Sequence, residues 1–312
     1  MADSRNEIKV DWRRRIKDLA DIYGPTVKDR AYQYGLLMRW HRPVGALLLL
    51  WPLLWALWIA AEGYPNAKVL VIFSAGVWLM RSAGCVLNDL ADRKFDPHVE
   101  RTKDRPLAAG RVRPLEALAL AGVLLTVAAG LVMLTDRATI LLAFGALFLA
   151  ATYPFMKRYT YLPQPYLGAA FGWAIPMAYS AQTGAVPPMC WLLFLLSVLW
   201  ATIYDTQYAM VDRDDDLKIG VKSSAILFGD LDRHIIGILQ VVMLLGLALV
   251  GRQAELGLWY YLGLLAGAGV FIYQQWLIYD RNREKCMKAF QSNSTFGAVI
   301  FAGIALHYFS LN

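Results

Sequence analysis

The chain has 312 residues, of which 58% are hydrophobic and only 18% charged. That balance excludes an ordinary soluble domain and a disordered chain, and it makes lipid the main solvent. The formal net charge of +7 does not point to nucleic acid, because the Lys and Arg residues gather in loops on one side of the predicted spans, as membrane orientation requires.

Residues 1–35 read as a polar, mixed-charge arm with weak helical character around Trp12 to Tyr23. The arm lacks the apolar core and cleavage site of a signal peptide, and its acidic residues argue against a mitochondrial transit peptide. After it come nine apolar runs, near 44–61, 68–87, 115–134, 138–155, 164–182, 190–209, 234–250, 257–277 and 289–309. Each approaches the roughly 20 residues that a helix needs to cross a bilayer. The expectation is an all-α integral membrane protein of nine helices, with residues 36–312 as the membrane domain. Cys85, Cys190 and Cys286 lie far apart in or beside these runs and form no metal spacing, so they read as reduced packing residues.

An odd number of spans puts the termini on opposite sides. Ten Lys and Arg residues precede the first span, and more fall in Arg93–Arg113, Lys157–Arg158, Arg213–Arg233 and Arg281–Lys288, against only Lys68, Arg137 and Arg252 on the other side. The N-terminus and the loops after the even-numbered spans are therefore expected in the cytoplasm and Asn312 outside.

Two acidic clusters stand out in those cytoplasmic loops: Asn88-Asp89-Leu90-Ala91-Asp92-Arg93-Lys94-Phe95-Asp96 and Asp212-Arg213-Asp214-Asp215-Asp216. If the second helix continues past its apolar run, Asn88, Asp92 and Asp96 stack on one face, with Asp89 adjacent and Arg81 further back along the same face. The sixth helix likewise aligns Tyr204, Tyr208, Asp212 and Asp216. One such cluster is equally a solvated or ion-paired helix end, neutralised by Arg93, Lys94, Arg213 or Lys218. Two on the same side, each with carboxylates four apart, favour a ligand array. Hard oxygen donors without His or Cys suit Mg²⁺ shared with substrate phosphates. Arg101, Arg105, Lys157, Arg158, Lys218 and Lys222 are candidate donors to a diphosphate, and the tyrosine faces suit an allylic cation. Recurrence of the clusters four spans apart hints at internal duplication.

Asn88–Asp96 fits the signature N-D-x-x-D-x-x-x-D, Asp212–Asp216 fits D-x-x-x-D, and Tyr153-Pro-Phe-Met-Lys157 fits Y-x-x-x-K in the loop between them. In these three ordered motifs, and from about Leu36 to its end, the chain resembles the UbiA superfamily of intramembrane aromatic prenyltransferases. The longer strings Ala83–Asp89, Tyr153–Arg158 and Tyr204–Asp216 resemble the branch of that family acting on 4-hydroxybenzoate in ubiquinone biosynthesis. The resemblance implies a helical bundle around a central cavity in the bacterial inner membrane, with cytoplasmic cap loops and a lateral opening for the prenyl chain. It implies transfer of a polyprenyl group from polyprenyl diphosphate to the ring carbon ortho to the hydroxyl, with Mg²⁺ and diphosphate held by Asn88, Asp92, Asp96, Asp212 and Asp216. Lys157, with Tyr153 and Arg158, is then expected beside the departing diphosphate or the acceptor carboxylate.

By the same resemblance Arg39 or Arg42, in Arg39-Trp-His-Arg-Pro43, lies close to the polar substrates, although each also suits a plain topology anchor. Asp205, seven residues before Asp212, either polarises the acceptor phenol or pairs with Arg81. His41, His98, His234 and His307 show no ligand spacing and are given no role. No obligate protein partner is evident. Homogentisate, naphthoate and haem are acceptors of related enzymes. A CDP-alcohol phosphotransferase would need a D-G-x-x-A-R run, which the chain lacks. A divalent-cation transporter is the rival of a different class, but it would place ionisable ligands near mid-membrane and not at helix ends.

Overall fold

The computed structural model describes residues 26–93, 96–98, 102–220 and 222–311, and, of the helical residues, the side chains of 154, 155, 157, 158 and 219 lie outside that description. The expected helical stretch Trp12–Tyr23 falls outside it, as do Lys94 and Arg101. All regular structure among the described residues is helical. In chain order the helices are α1 (26–37), α2 (Val44–Ala60), α3 (Ala67–Ala91), α4 (Pro114–Val132), α5 (Arg137–Tyr159), α6 (Pro163–Gly172), α7 (Ala174–Thr183), α8 (Pro188–Ile219), α9 (Ser224–Phe228), α10 (Asp232–Gln253), α11 (Leu258–Leu277) and α12 (Arg283–Phe309). Every predicted apolar run falls on helix.

The fifth run is split at Trp173, which ends α6 and begins α7. Pro176 accounts for the break, because it has no N–H to donate to the carbonyl four residues back at Gly172. Helix α8 runs unbroken for 32 residues, well past its apolar stretch. The first helix continues across position 35, and its end, Leu37 with Met38, packs under Ala83, Val86, Leu107 and Val112. The last part of the polar arm is therefore built onto α3 and α4.

Among the described residues, five helices are long and apolar enough to cross a membrane: α3, α4, α8, α10 with the α9 segment before it, and α12. The shorter α2 and α5 are also apolar. Large hydrophobic side chains such as Leu141, Phe144, Leu245, Leu265 and Ile272 are exposed on the outer surface, as lipid-facing positions are. Inside, aromatic rings fill the seam between α2, α8, α11 and α12. Trp55 stacks on Trp200 at 5.1 Å and Phe271 on Phe296 at 4.1 Å. Gly297 makes this approach feasible, since a Cβ there would lie 2.8 Å from the Trp200 ring, and its carbonyl accepts from the Trp55 indole at 3.1 Å.

A chain of buried amides ties the C-terminal helices together. The Gln207 amide donates to Gln274 at 3.0 Å, Gln240 donates to the same oxygen at 2.8 Å, and Asn293 donates to Gln207 at 2.7 Å. Asn293 also accepts from the Trp200 indole at 3.0 Å. In an apolar surround such bonds fix which helices pair and in what register, at about 0.6 kcal/mol each.

Candidate active site

The first acidic cluster forms where α3 ends. Its regular helix stops at Ala91, short of the expected continuation through Asp96, and Asp96 opens a 3-10 turn, Asp96–His98. The spacing of four nevertheless survives in the backbone. Asp92 N–H donates to Asn88 O and Asp96 N–H to Asp92 O, both at 2.9 Å, so Asn88, Asp92 and Asp96 keep a helical rise after the helix proper has ended.

Asp89 takes a different direction. It is 2% exposed and accepts from Arg39 Nη2 at 2.8 and 3.0 Å and from Arg105 Nη1 at 3.0 Å. Arg105 Nη1 also donates to Asp96 Oδ2 at 2.9 Å, while Thr102 donates to the Asp96 backbone carbonyl at 2.8 Å. Arg39, expected near the substrates, is thus seated on the first acidic cluster. Arg105, a candidate diphosphate donor by sequence, cross-braces two of the cluster's own carboxylates. Arg42 is exposed at the start of α2.

The second cluster stays on continuous helix, as expected. Tyr204, Tyr208, Asp212 and Asp216 follow one another at four-residue steps along α8, which ends at Gly220 in the left-handed conformation, φ 72°. A helix turns about 100° per residue, so the intervening charges point elsewhere. Arg283 binds Asp214 at 2.9 Å and Asp215 at 3.2 Å. Lys218, named as a diphosphate donor, is exposed and lies 3.6 Å from Asp215. Lys222 sits over the Tyr161 ring, 5.1 Å from its centre.

Deeper in α3 and α8 a second group assembles. Arg81, Tyr153 and Asp205 all lie within electrostatic reach of the Tyr204 hydroxyl, joining α3, α5 and α8. Tyr204 is buried, edge-on to Trp200 at 5.6 Å, and Phe290 packs 5.0 Å from Tyr208. Arg81 is seated against the backbone of α2: a Cβ on Gly45 would lie 2.5 Å from its Nη2, 2.7 Å from Nε and 2.9 Å from Cζ. The sequence gives no sign of this glycine's role, because the partner lies 36 residues away on another helix.

Tyr153-Pro-Phe-Met-Lys157 was expected in a loop and instead occupies the last turns of α5. The side chains of Lys157 and Arg158 lie outside the described residues, so their expected roles rest on sequence. A buried ion cluster also went unforeseen. Asp232, fully buried at the start of α10, accepts from Arg281 Nη2 at 2.9 Å and Nε at 3.1 Å, with Arg213 at 3.6 Å. Asp232 in turn holds the Arg281 guanidinium above its ordinary pKa. The cluster joins the polar ends of α8 and α10 to the connection between α11 and α12.

Among the described residues no three His, Cys, Asp or Glu side chains lie close enough to hold a metal by themselves. The donors are carboxylates and one amide, presented in separate rows at the ends of two helices. Such a set fits Mg²⁺, which usually keeps several waters and takes one or two carboxylates together with substrate phosphates.

The UbiA prenyltransferase family profile matches residues 49–301. The chain is 63% identical over 280 residues to a 4-hydroxybenzoate octaprenyltransferase of Alkalilimnicola ehrlichii, covering 90% of this chain and 96% of the relative. It is 60% identical over 282 residues to that of Nitrosococcus oceani, covering 90% and 99%. Among solved structures, the apo form of a UbiA homolog from Aeropyrum pernix K1 superposes with a TM-score of 0.74 at 25% identity, covering 84% of this chain and 97% of that one. A UbiA homolog from Archaeoglobus fulgidus, bound to GPP and Mg²⁺, shares the fold with a TM-score of 0.65 at 18% identity, over 88% and 99%. With the motifs, the helices and the matched residues in agreement, this chain belongs to the UbiA prenyltransferase family.

Proposed function

We propose that the protein transfers a polyprenyl group from polyprenyl diphosphate to the ring carbon ortho to the hydroxyl of 4-hydroxybenzoate, releasing diphosphate, as a step of ubiquinone biosynthesis. The observation that carries this is the pairing of two carboxylate rows, at the ends of α3 and α8, with a cationic and aromatic group deeper on the same two helices. The near-full-length identity to 4-hydroxybenzoate octaprenyltransferases supports the choice of donor and acceptor.

Nine crossings account for the helices: α2, α3, α4, α5, the α6–α7 pair, α8, α10, α11 and α12, in the inner membrane. The arm, here residues 1–35, and both acidic rows face the cytoplasm, and the C-terminus faces out, as the Lys and Arg bias favours.

Asn88, Asp92 and Asp96 from one side, and Asp212 and Asp216 from the other, hold Mg²⁺ and the diphosphate. Mg²⁺ supplies Lewis acidity toward the charge that develops on the departing diphosphate. Lys157 and Arg158 add hydrogen-bond donors to the same oxygens. The prenyl C–O bond breaks, and the allylic cation that results is stabilised by the faces of Tyr204 and Tyr208 while hydrocarbon walls exclude water. The new C–C bond forms at the acceptor carbon made electron-rich by the phenolic oxygen, and the ring proton is lost. Arg81, grouped with Asp205 and Tyr153 about Tyr204, orients the acceptor through its carboxylate and hydroxyl.

Membranes containing the protein, supplied with Mg²⁺, geranyl diphosphate and labelled 4-hydroxybenzoate, should yield a labelled lipid-soluble product identified as the ortho-prenylated acid. Product from another aromatic acceptor, with none from 4-hydroxybenzoate, would overturn the assignment.

A further inference from the structure

We propose that Asp89 is a positioning residue, a buried carboxylate that clamps Arg39 and Arg105 together and thereby sets Arg105 and its loop against Asp96. This rests on the prenyltransferase reading for what the positioned loop does, but the clamp itself is read from geometry. Both Asp89 oxygens are occupied: Oδ1 accepts from Arg39 at 2.8 Å and from Arg105 at 3.0 Å, and Oδ2 accepts from Arg39 at 3.0 Å. With two guanidinium groups already on a 2% exposed carboxylate, a divalent cation brought to the same oxygens would meet two like charges at close range. Asp96 differs, sharing only its Oδ2 with Arg105, at 2.9 Å.

The three clamped residues come from separate parts of the chain. Arg39 lies in the connection between α1 and α2, in the left-handed region at φ 61°. A non-glycine residue is strained there, and its side chain is held on both sides, by Leu36 O at 3.0 Å and by Asp89. Arg105 comes from the loop after α3, whose Leu107 and Val112 pack with Leu37 and Met38 against Ala83 and Val86. Apolar packing thus brings these segments together, and Asp89 fixes their relative position where they meet the acidic row. Arg105, touching Asp89 and Asp96 through one nitrogen, carries that position to the carboxylate nearest the loop.

The test uses the full chain with a spin label at Asp104→Cys; the three native cysteines are buried and stay unlabelled. In Asp89→Asn the label should become more mobile, and the KM for geranyl diphosphate should rise by about 10-fold. The affinity for Mn²⁺ with inorganic diphosphate, followed by the free Mn²⁺ signal, should fall by less than about three-fold, whereas Asp92→Asn should lower it much more. Arg39→Gln should release the label similarly, and the double variant Arg39→Gln with Asp89→Asn should add little to either single change, because partners in one clamp are not additive. The double variant also removes both charges of the buried pair, so it tests the clamp even if Asp89→Asn alone folds poorly. Native label mobility in Asp89→Asn together with lost Mn²⁺ binding would make Asp89 a metal ligand and overturn the proposal, as would fully additive effects. Label mobility and Mn²⁺ binding are read without turnover, so they decide the clamp even if 4-hydroxybenzoate proves not to be the acceptor.

Discussion

Gly45→Ala tests whether Arg81 works from the place where α2 seats it. A Cβ there would stand 2.5 Å from Arg81 Nη2 and 2.9 Å from Cζ, against an ordinary contact of about 3.5 Å, so the guanidinium must retreat by about 1 Å. The clash falls on the far end of a flexible side chain, and alanine is a better helix former than glycine by about 1 kcal/mol, so stability should change little. Catalysis is less forgiving, since a misplacement of about 1 Å in a substrate-positioning group can lower rate by roughly 100-fold. That corresponds to about 2.7 kcal/mol of lost transition-state stabilisation. The expected result is a protein of near-native melting temperature with kcat/KM for 4-hydroxybenzoate reduced by about two orders of magnitude. Arg81→Ala should be at least as damaging, and the double variant no worse, because both changes act on the same guanidinium. Native kcat/KM in Gly45→Ala, or additive losses in the double variant, would refute the idea that Gly45 acts through Arg81.

Asp92→Asn and Asp212→Asn each remove one charge at nearly constant size, and each should lower prenyl transfer by at least about 100-fold while expression persists; near-native turnover of both purified variants would remove the two-row mechanism. Asp232→Ala leaves Arg281 and Arg213 without their buried partner and should destabilise the protein by about 3 kcal/mol or more, seen as a lowered unfolding midpoint; an unchanged midpoint would show that the cluster holds nothing. Single cysteines at Asp104 and Gln253 should label from opposite sides of the membrane, Asp104 from the cytoplasm, against a background of buried native cysteines; labelling from the same side would break the proposed orientation.

The apolar runs were legible because a span must be about 20 residues of helix whatever surrounds it, and each run falls on helix. Where those helices end was less legible. Both acidic helices were expected to continue past their apolar runs. Helix α8 does so and carries its row through Asp216, whereas α3 passes the end of its run at residue 87 but stops at Ala91, before Asp92 and Asp96. The spacing of four in the sequence is the same in either case. Only the backbone bonds from Asp92 to Asn88 and from Asp96 to Asp92 explain how a broken helix keeps that spacing.

The arginine partners of the carboxylates were not legible in the sequence, and the reason is physical. In Asn88–Asp96 and Asp212–Asp216 the acidic residues are chemically alike, and helical spacing says only which of them share a face. Asp89, Asp214 and Asp215 each meet an arginine supplied from elsewhere: Arg39 and Arg105 for the first, Arg283 for the other two. Arg39 is 50 residues from Asp89 and Arg283 is 68 from Asp215, beyond any local pattern. An exposed pair such as Arg283 with Asp214 contributes at most about 1 kcal/mol, yet together these pairs engage the acids that point away from the two rows. The proposed chemistry depends on Asn88, Asp92, Asp96, Asp212 and Asp216, and Asp96 belongs both to a row and to an arginine contact. That double membership is why the clamp at Asp89 bears on the site, since moving Arg105 necessarily changes the charge facing Asp96.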